Sequence, residues 1–392
     1  MEHIQKESLS AALLAAADWM TRTQNTDIES ADRGRFKYAV NLKTGQQWSS
    51  TGWQTSFAVF ALLGAYRLGG REKDREAVSR AMDYLKSLQI LDARKPACFG
   101  AIREETPQTN WSHPRDALSV AWAYLGYYRF SGIQDYLERA VLYADWMLKY
   151  ACFDDWIAAT VRLGEGGIAS DETTGSFQSG GILFLMELYE ATSDMRYSDA
   201  AYRMANYYVK HFIDAQGEIT IIIDRIGKNT REWGKDWQQM HRVNDDFGGI
   251  ALVEAYRVHK REEYLGRASA YFRWLEKHVS ADGSFFDPVV EVGSATTAIF
   301  LMAYREIAPE SEHQAIDSLV DKNFAYLLSI QQKGIGENVD GAFLGMDNRC
   351  QFGHGDYVNI RCTSYAMIAL SRALGKACFP CSLLDIADFP RS

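Results

Sequence analysis

Ala65-Tyr66-Arg67, Tyr127-Tyr128-Arg129, Leu188-Tyr189-Glu190, Ala255-Tyr256-Arg257, Ala303-Tyr304-Arg305 and Leu370-Ser371-Arg372 each close an apolar stretch of this chain. A second series lies between them: Asp18-Trp19, Asp83-Tyr84, Asp145-Trp146, Asn206-Tyr207, Arg273-Trp274 and Ala325-Tyr326. Recurrence at about 50–65 residues is the mark of one supersecondary unit copied along a chain. Two helix types, each repeated six times, predict twelve helices in six hairpins.

The first series predicts inner helices over 52–68, 114–131, 175–192, 245–259, 293–307 and 362–374, apolar nearly all round and rich in small residues. A helix apolar on every side is buried on every side. The second series predicts outer helices over 8–22, 73–90, 134–151, 196–213, 261–279 and 311–331, each with one charged face, as in Glu76, Arg80, Asp83 and Lys86. Inner-to-outer links such as Gly69-Gly70-Arg71 are short. Outer-to-inner links mostly run about 20–30 residues, well beyond ordinary connections. They include strand-like stretches, Phe36–Val40 and Ile219–Ile223. Antiparallel hairpins put all the long links at one end, above the N-termini of the inner helices. Long loops in a compact fold usually carry function, so the site belongs on that face.

Composition agrees. The chain has 392 residues, 47% hydrophobic and 13% aromatic, with only seven prolines, as a large helical core requires. A net charge of −9 with no basic stripe excludes a nucleic-acid backbone as partner. No run of about 18 apolar residues occurs, so no membrane partner or signal peptide is expected. Six scattered cysteines (98, 152, 350, 362, 378, 381) read as reduced thiols of a cytoplasmic protein.

Helical repeats with short loops form open solenoids, whereas six longer units can close a double ring. The arrangement, over residues 8–375, resembles the six-hairpin glycosidase superfamily, whose fold is an (α/α)6 barrel. The expectation is therefore an all-α toroid of six helical hairpins with its long loops on one face. It forms one domain over 1–392, and 376–392 is a tail docked on it. Cys378-Phe379-Pro380-Cys381 has redox-motif spacing but lies in that tail without a βαβ context.

Three polar clusters open inner helices. Trp111-Ser112-His113-Pro114-Arg115-Asp116 opens the second. Pro114 suits a first turn, and Asp116 lies where the helix dipole favours a carboxylate. It reads either as a stabilising helix-start acid or as a general acid or base oriented by His113 and Arg115. Unsaturated glucuronyl hydrolases of the superfamily carry an essential aspartate near this point, and Asp116 falls in that place. Trp237 and His241-Arg242-Val243-Asn244-Asp245-Asp246 open the fourth. Adjacent carboxylates on an apolar helix are costly unless paired or used. Asn244 or Asp245 suits the cap, which leaves Asp246 for chemistry. The related hydrolases place a uronate-binding arginine near here, a part open to Arg242, although their Arg-Gly-Gln pattern is absent. Ser170-Asp171-Glu172-Thr173-Thr174 precedes the third inner helix. The resemblance implies a second catalytic aspartate within that helix. The chain has Phe177 and Gln178 instead, and only Asp171 or Glu172 could substitute.

Trp48, Trp53, Trp111, Trp156, Trp233 and Trp237 lie in or beside the long loops, either as apolar anchors or as faces for sugar rings. The last link supplies Cys350, His354, Asp356, Tyr357, Arg361 and Cys362. The Cys/His spacing matches no strong zinc pattern, so His354 and Asp356 read as substrate contacts, and no metal or cofactor is expected. An isoprenoid cyclase would need an Asp-x-Asp-Asp motif, and Val243-Asn244-Asp245-Asp246 lacks its first acid.

These residues predict an intracellular glycoside hydrolase, monomeric or homodimeric, acting on an oligosaccharide with two carboxylates. Asp116 and Asp246 are the favoured pair, with Asp245 beside them, and inversion would set the carboxyls about 6.5–9.5 Å apart. Trp53, Trp111, His113, Arg115, Glu172, Trp237, His241, Arg242, His354 and Arg361 would hold the sugar, with Arg242 or Arg361 suited to a uronate carboxylate. A uronate lyase or sugar epimerase would instead use His113, His241 or His354 with Tyr357 as base. A non-catalytic glycan-binding or polysaccharide-assembly protein is the remaining class.

Overall fold

The computed structural model describes residues 6–153, 155–165, 168–169, 173–220, 222–224, 247–285, 291–345 and 357–380. These contain twelve α-helices alternating in two rings. The outer ring is α1 (Lys6–Thr23), α3 (Glu72–Leu88), α5 (Gln134–Trp146), α7 (Met195–His211), α9 (Glu262–His278) and α11 (Glu310–Ser329). The inner ring is α2 (Gly52–Gly69), α4 (Pro114–Ser131), α6 (Gly180–Thr192), α8 (Gly248–His259), α10 (Glu291–Arg305) and α12 (Ile360–Ala373). Each inner helix packs on the next, and α12 packs on α2, so the ring closes. The fold is an (α/α)6 toroid.

Burial follows the sequence pattern. Every residue from Gln54 to Ala65 in α2 and from Ile360 to Ser371 in α12 is buried. In α3 the buried positions, among them Asp74, Ala77, Val78, Ala81, Met82, Leu85 and Leu88, recur at helical spacing on one side. The repeated tyrosine marks where the helices stop. The backbone carbonyls of Tyr66, Tyr128, Tyr189 and Tyr256 each accept from the N–H of a left-handed residue, respectively Gly70, Gly132, Ser193 and Lys260. The arginine beside it reaches a neighbouring inner helix: Arg129 pairs with Glu190 (3.1 Å), and Arg257 and Arg372 both pair with Glu306.

A second repeat joins the outer ring. After five of the six outer helices the chain makes a narrow hairpin, bridged at Gln24 and Phe36, Gln89 and Ile102, Ile213 and Ile219, Val279 and Phe285, and Gln331 and Phe343. Each holds a glycine, Gly34, Gly100, Gly217, Gly283 or Gly341, with φ between 87° and 97°. Each glycine lies flat on the next outer helix, so close that a Cβ would fall 1.9–2.4 Å from a helix carbonyl oxygen or its carbon. Three glutamines complete the clasp. Gln24 Nε2 donates to Ala77 O (2.8 Å), Gln89 Nε2 to Arg139 O (2.9 Å) and Gln331 Nε2 to Ala12 O (2.8 Å). The last of these, with Gly341 against Ala15, joins the end of the array to its beginning. After α5 the clasp is made by a side chain instead: Asp155 (φ 61°) accepts from Arg203 Nε of α7 at 2.9 Å.

The long links lie over the N-termini of the inner helices and zip to one another. Strand β1 (Lys37–Asn41) pairs with β2 (Gln47–Ser49) and with β11 (Tyr357–Asn359), which in turn pairs with β10 (Leu344–Gly345). Strand β3 (Trp111–Ser112) pairs with β6 (Val161–Arg162), and β6 with β7 (Ile168–Ala169). The β4 (Cys152–Phe153) and β5 (Trp156–Ile157) strands form the hairpin after α5. The third inner helix starts five residues later than its expected 175. Thr173–Gly175 is β8, in antiparallel register with β9 (Ile222–Asp224), and a backbone committed to a ladder is not free to open a helix.

The lumen is filled below the rim. Phe379, which is fully buried, packs its ring against Phe57, Phe60, Trp122 and Phe247, at centroid distances of 4.7–5.6 Å. Arg67 holds this segment by donating to Ala377 O.

If the glycine clasp closes the ring, Gly341→Ala should lower unfolding stability by about 2–5 kcal/mol, the sum of backbone strain and overlap. Gly45 also has a positive φ, of 71°, but faces open space, so Gly45→Ala should cost about 1 kcal/mol. Equal losses in urea titrations would show that the contact with α1 contributes nothing.

Candidate active site

Neighbouring inner helices α12, α2 and α4 bring their first turns together. The second residue of α2 is Trp53, and the second of α12 is Arg361. Arg115 and Asp116 are the second and third of α4, behind Pro114 at the first position and His113 at the cap. Trp53 is the centre of the group. The guanidinium of Arg115 lies 5.7 Å from its ring centroid and that of Arg361 5.4 Å, so one indole bridges two cations. Trp53 also rests edge-on against Phe57 one turn below, which ties it to the filled lumen.

Asp116 is 7% exposed, and one carboxylate oxygen accepts from Arg115 Nε at 2.5 Å. A second carboxyl, that of Glu104, is hydrogen-bonded to it. Glu104 is 4% exposed and comes from the link between α3 and α4. Its backbone carbonyl accepts from the N–H of Gly52 (3.1 Å), and its Oε2 accepts from the N–H of His113 (3.3 Å), so it joins the starts of α2 and α4. Burial, then the negative charge of Asp116, pushes the Glu104 carboxyl well above its ordinary pKa. Tyr143 of α5 pins the same turn by donating to Pro114 O.

His113 has a defined tautomer. Its Nδ1 is 2.9 Å from the Ala159 carbonyl oxygen, which can only accept, so Nδ1 carries a proton and, in the neutral ring, Nε2 is the acceptor. The ring stands edge-on to Trp111, 4.7 Å away, and Trp111 is fixed by pairing with Arg162 across β3 and β6.

Sequence reasoning thus located Trp53, Trp111, His113, Arg115, Asp116 and Arg361 at one rim. It missed Glu104. Of the two readings open for the loop tryptophans, Trp156 takes the first: it is fully buried, stacks on Tyr207 (5.7 Å, 12°) and donates to Gly175 O, so it anchors the loop. Gln178, just before α6, is buried with neither amide atom hydrogen-bonded among the described residues. Asp245, Asp246, Glu172, Trp237, His241, Arg242 and His354 lie outside the described residues, as do Asp171, Trp233, Cys350 and Asp356. Among the described residues no three His, Cys, Asp or Glu side chains gather as a metal site.

The toroid is shared with solved carbohydrate-active enzymes. An unsaturated glucuronyl hydrolase from Bacillus sp. GL1 superposes with a TM-score of 0.72 at 15% identity, over 94% of this chain and 97% of that one. An inactive aspartate-to-asparagine double variant of an α-1,6-mannanase from Salegentibacter sp. HEL1_6, in complex with α-1,6-mannotriose, superposes at 0.65, 14% identity, 94% and 99%. The cellobiose 2-epimerase of Bacillus thermoamylovorans B4167 superposes at 0.67, 12% identity, 90% and 95%. No protein-family model matches the sequence, and no curated protein does. At these identities the likeness establishes the fold.

The buried carboxyl makes stability depend on pH in a stated direction. Above the ordinary glutamate pKa of about 4.3, the unfolded chain releases a proton that folded Glu104 keeps. Stability contributed by this group is therefore full at acid pH and falls as pH climbs towards the raised folded value. Glu104→Gln has no such proton, so its melting temperature should gain on the wild type as pH rises from about 4 to about 8. A difference constant across that range would mean that Glu104 titrates as it does in water.

Proposed function

We propose that the protein is a carbohydrate-active enzyme, a glycoside hydrolase acting on an oligosaccharide that carries an acidic sugar. The observation that carries this reading is the Asp116 carboxylate at a rim, in contact with Arg115, whose guanidinium shares the indole of Trp53 with that of Arg361. A carboxylate there can exchange a proton with water or a leaving oxygen, and Trp53 and Trp111 offer faces to sugar rings. The two guanidiniums that flank the Trp53 indole suit a uronate carboxylate. The solved neighbours support the substrate class, and the inactive mannanase variant supports a need for aspartates on this scaffold. Asp246, with Asp245 beside it, is the proposed partner carboxylate, and Glu172, Trp237, His241, Arg242 and His354 are proposed as further sugar contacts. The scattered cysteines, with Cys98, Cys152 and Cys378 as free thiols, support a cytoplasmic location. No described helix is long and apolar enough to cross a membrane.

A second reading, sugar epimerisation, rests on the unprotonated Nε2 of His113 as a base and on the epimerase among the neighbours.

Incubation with unsaturated-uronate oligosaccharides, α-1,6-mannotriose and cellobiose in 18O-water separates the readings. Hydrolysis puts solvent oxygen into a new reducing end, elimination creates an ultraviolet-absorbing product, and epimerisation changes neither mass nor chain length. Asp116→Asn should lower turnover at least about 100-fold while the protein stays folded. Unchanged turnover in a folded Asp116→Asn variant would remove the proposed catalyst. Binding of these sugars without turnover would point to a glycan-binding protein.

A further inference from the structure

We propose that Glu104 is a positioning residue: held as a neutral acid, it donates a hydrogen bond to Asp116 and, with Arg115, keeps Asp116 ionised as the proton acceptor of the site. This rests on the hydrolase reading and deepens it by assigning Asp116 the part of base.

Two carboxyls in hydrogen-bond contact cannot both be ionised without severe repulsion, so the pair shares one proton. Which oxygen keeps it follows from the surroundings. Asp116 has a cation on it, since Arg115 Nε contacts its Oδ1. Among the described residues no cation is in ion-pair contact with Glu104, which feels Arg115 only at a distance, and its Oε2 accepts from the neutral N–H of His113. It is also the more deeply buried of the two. Of the charges around the pair, Arg115 acts on both carboxyls but contacts only Asp116, and Arg35 lies over the Tyr84 ring with its Nε on the Ser50 carbonyl. From α3, the Tyr84 hydroxyl donates to the Glu105 carbonyl at 2.6 Å, and from α5 the Tyr143 hydroxyl donates to Pro114 O. Burial raises both phenols, which keeps them neutral, and holds the nearby Cys152 thiol at about 12. The imidazole of His113 turns its Nδ1 to Ala159 O, and Arg361 acts from beyond Trp53.

An ionised Asp116 is a proton acceptor. In the hydrolytic step, water oxygen bonds to the anomeric carbon as its proton passes to Asp116. The glycosidic C–O bond breaks, and the departing oxygen takes a proton from a second carboxylic acid. The pairing also offers a reason why the third inner helix can carry Gln178 where an acid was expected. The carboxyl that tunes Asp116 comes from the loop between α3 and α4.

Infrared spectroscopy of the full chain at neutral pH reads the proton directly and uses no substrate. The wild type should show the carbonyl stretch of a protonated, buried carboxylic acid. The wild-type minus Glu104→Gln spectrum should contain one such group per chain, and the wild-type minus Asp116→Asn spectrum should contain none. If the band disappears in Asp116→Asn and persists in Glu104→Gln, the proton sits on Asp116 and the assignment is overturned. The same holds if neither difference contains the band. Should Glu104→Gln fail to fold by circular dichroism, the Asp116→Asn comparison still decides, because loss of the band there overturns the proposal and its retention supports it. Absence of turnover on every sugar would sink the hydrolase reading and leave this spectrum unchanged.

Discussion

Everything in this molecule depends on glycines lying flat against the next outer helix. A toroid has no natural last element, so something must tie each hairpin to its successor at a fixed distance. Here the distance is set by backbone on backbone, which permits no side chain and fixes φ near 90°. The tie from Gln331 to Ala12 spans 319 positions of sequence. Contacts that distant form late in folding, because the loop entropy must be overcome first. Until then α1 packs on α2 and α3 but lacks its cover from α12, a state in which association with other chains competes.

With the ring fixed, the site follows. Six inner helices held at set spacing present their first turns to a common rim, where helix dipoles and short polar runs coincide. Trp53, Arg115, Asp116 and Arg361 each belong to a first turn. None was brought there by a loop. Loops supply the modifiers: Glu104 from one link, and Ala159 and Thr160, which fix the ring of His113, from another. The division places the groups that would touch a substrate on rigid helices and the groups that tune them on the links.

Much of this was legible in the residues. The Tyr-Arg series marks helix ends because its tyrosine carbonyl accepts the final capping bond, which is local chemistry. Pro114 before Asp116 announced a first turn for the same reason. Glu104 was not legible from such rules. It sits in a long link without periodicity, and local pattern does not say which loop carboxyl folds inward. A signal did exist in Gln24…Gly34-Arg35-Phe36, Gln89…Gly100-Ala101-Ile102 and Gln331…Gly341-Ala342-Phe343. Counting two past the bridged Ile102 would have marked Glu104 as the first link residue beyond the clasp. Trp156 stayed open between two parts because composition does not separate an aromatic that braces a loop from one that faces solvent. The late start of α6 went unseen because the partner of its preceding strand lies in another link.

The ring of Phe379 has a consequence for traffic. It fills the bore one or two turns beneath Trp53, so the described residues leave no passage through the ring there. A molecule entering from the decorated side must back out the same way, and a long polymer could present only a terminus or a bend, never thread through.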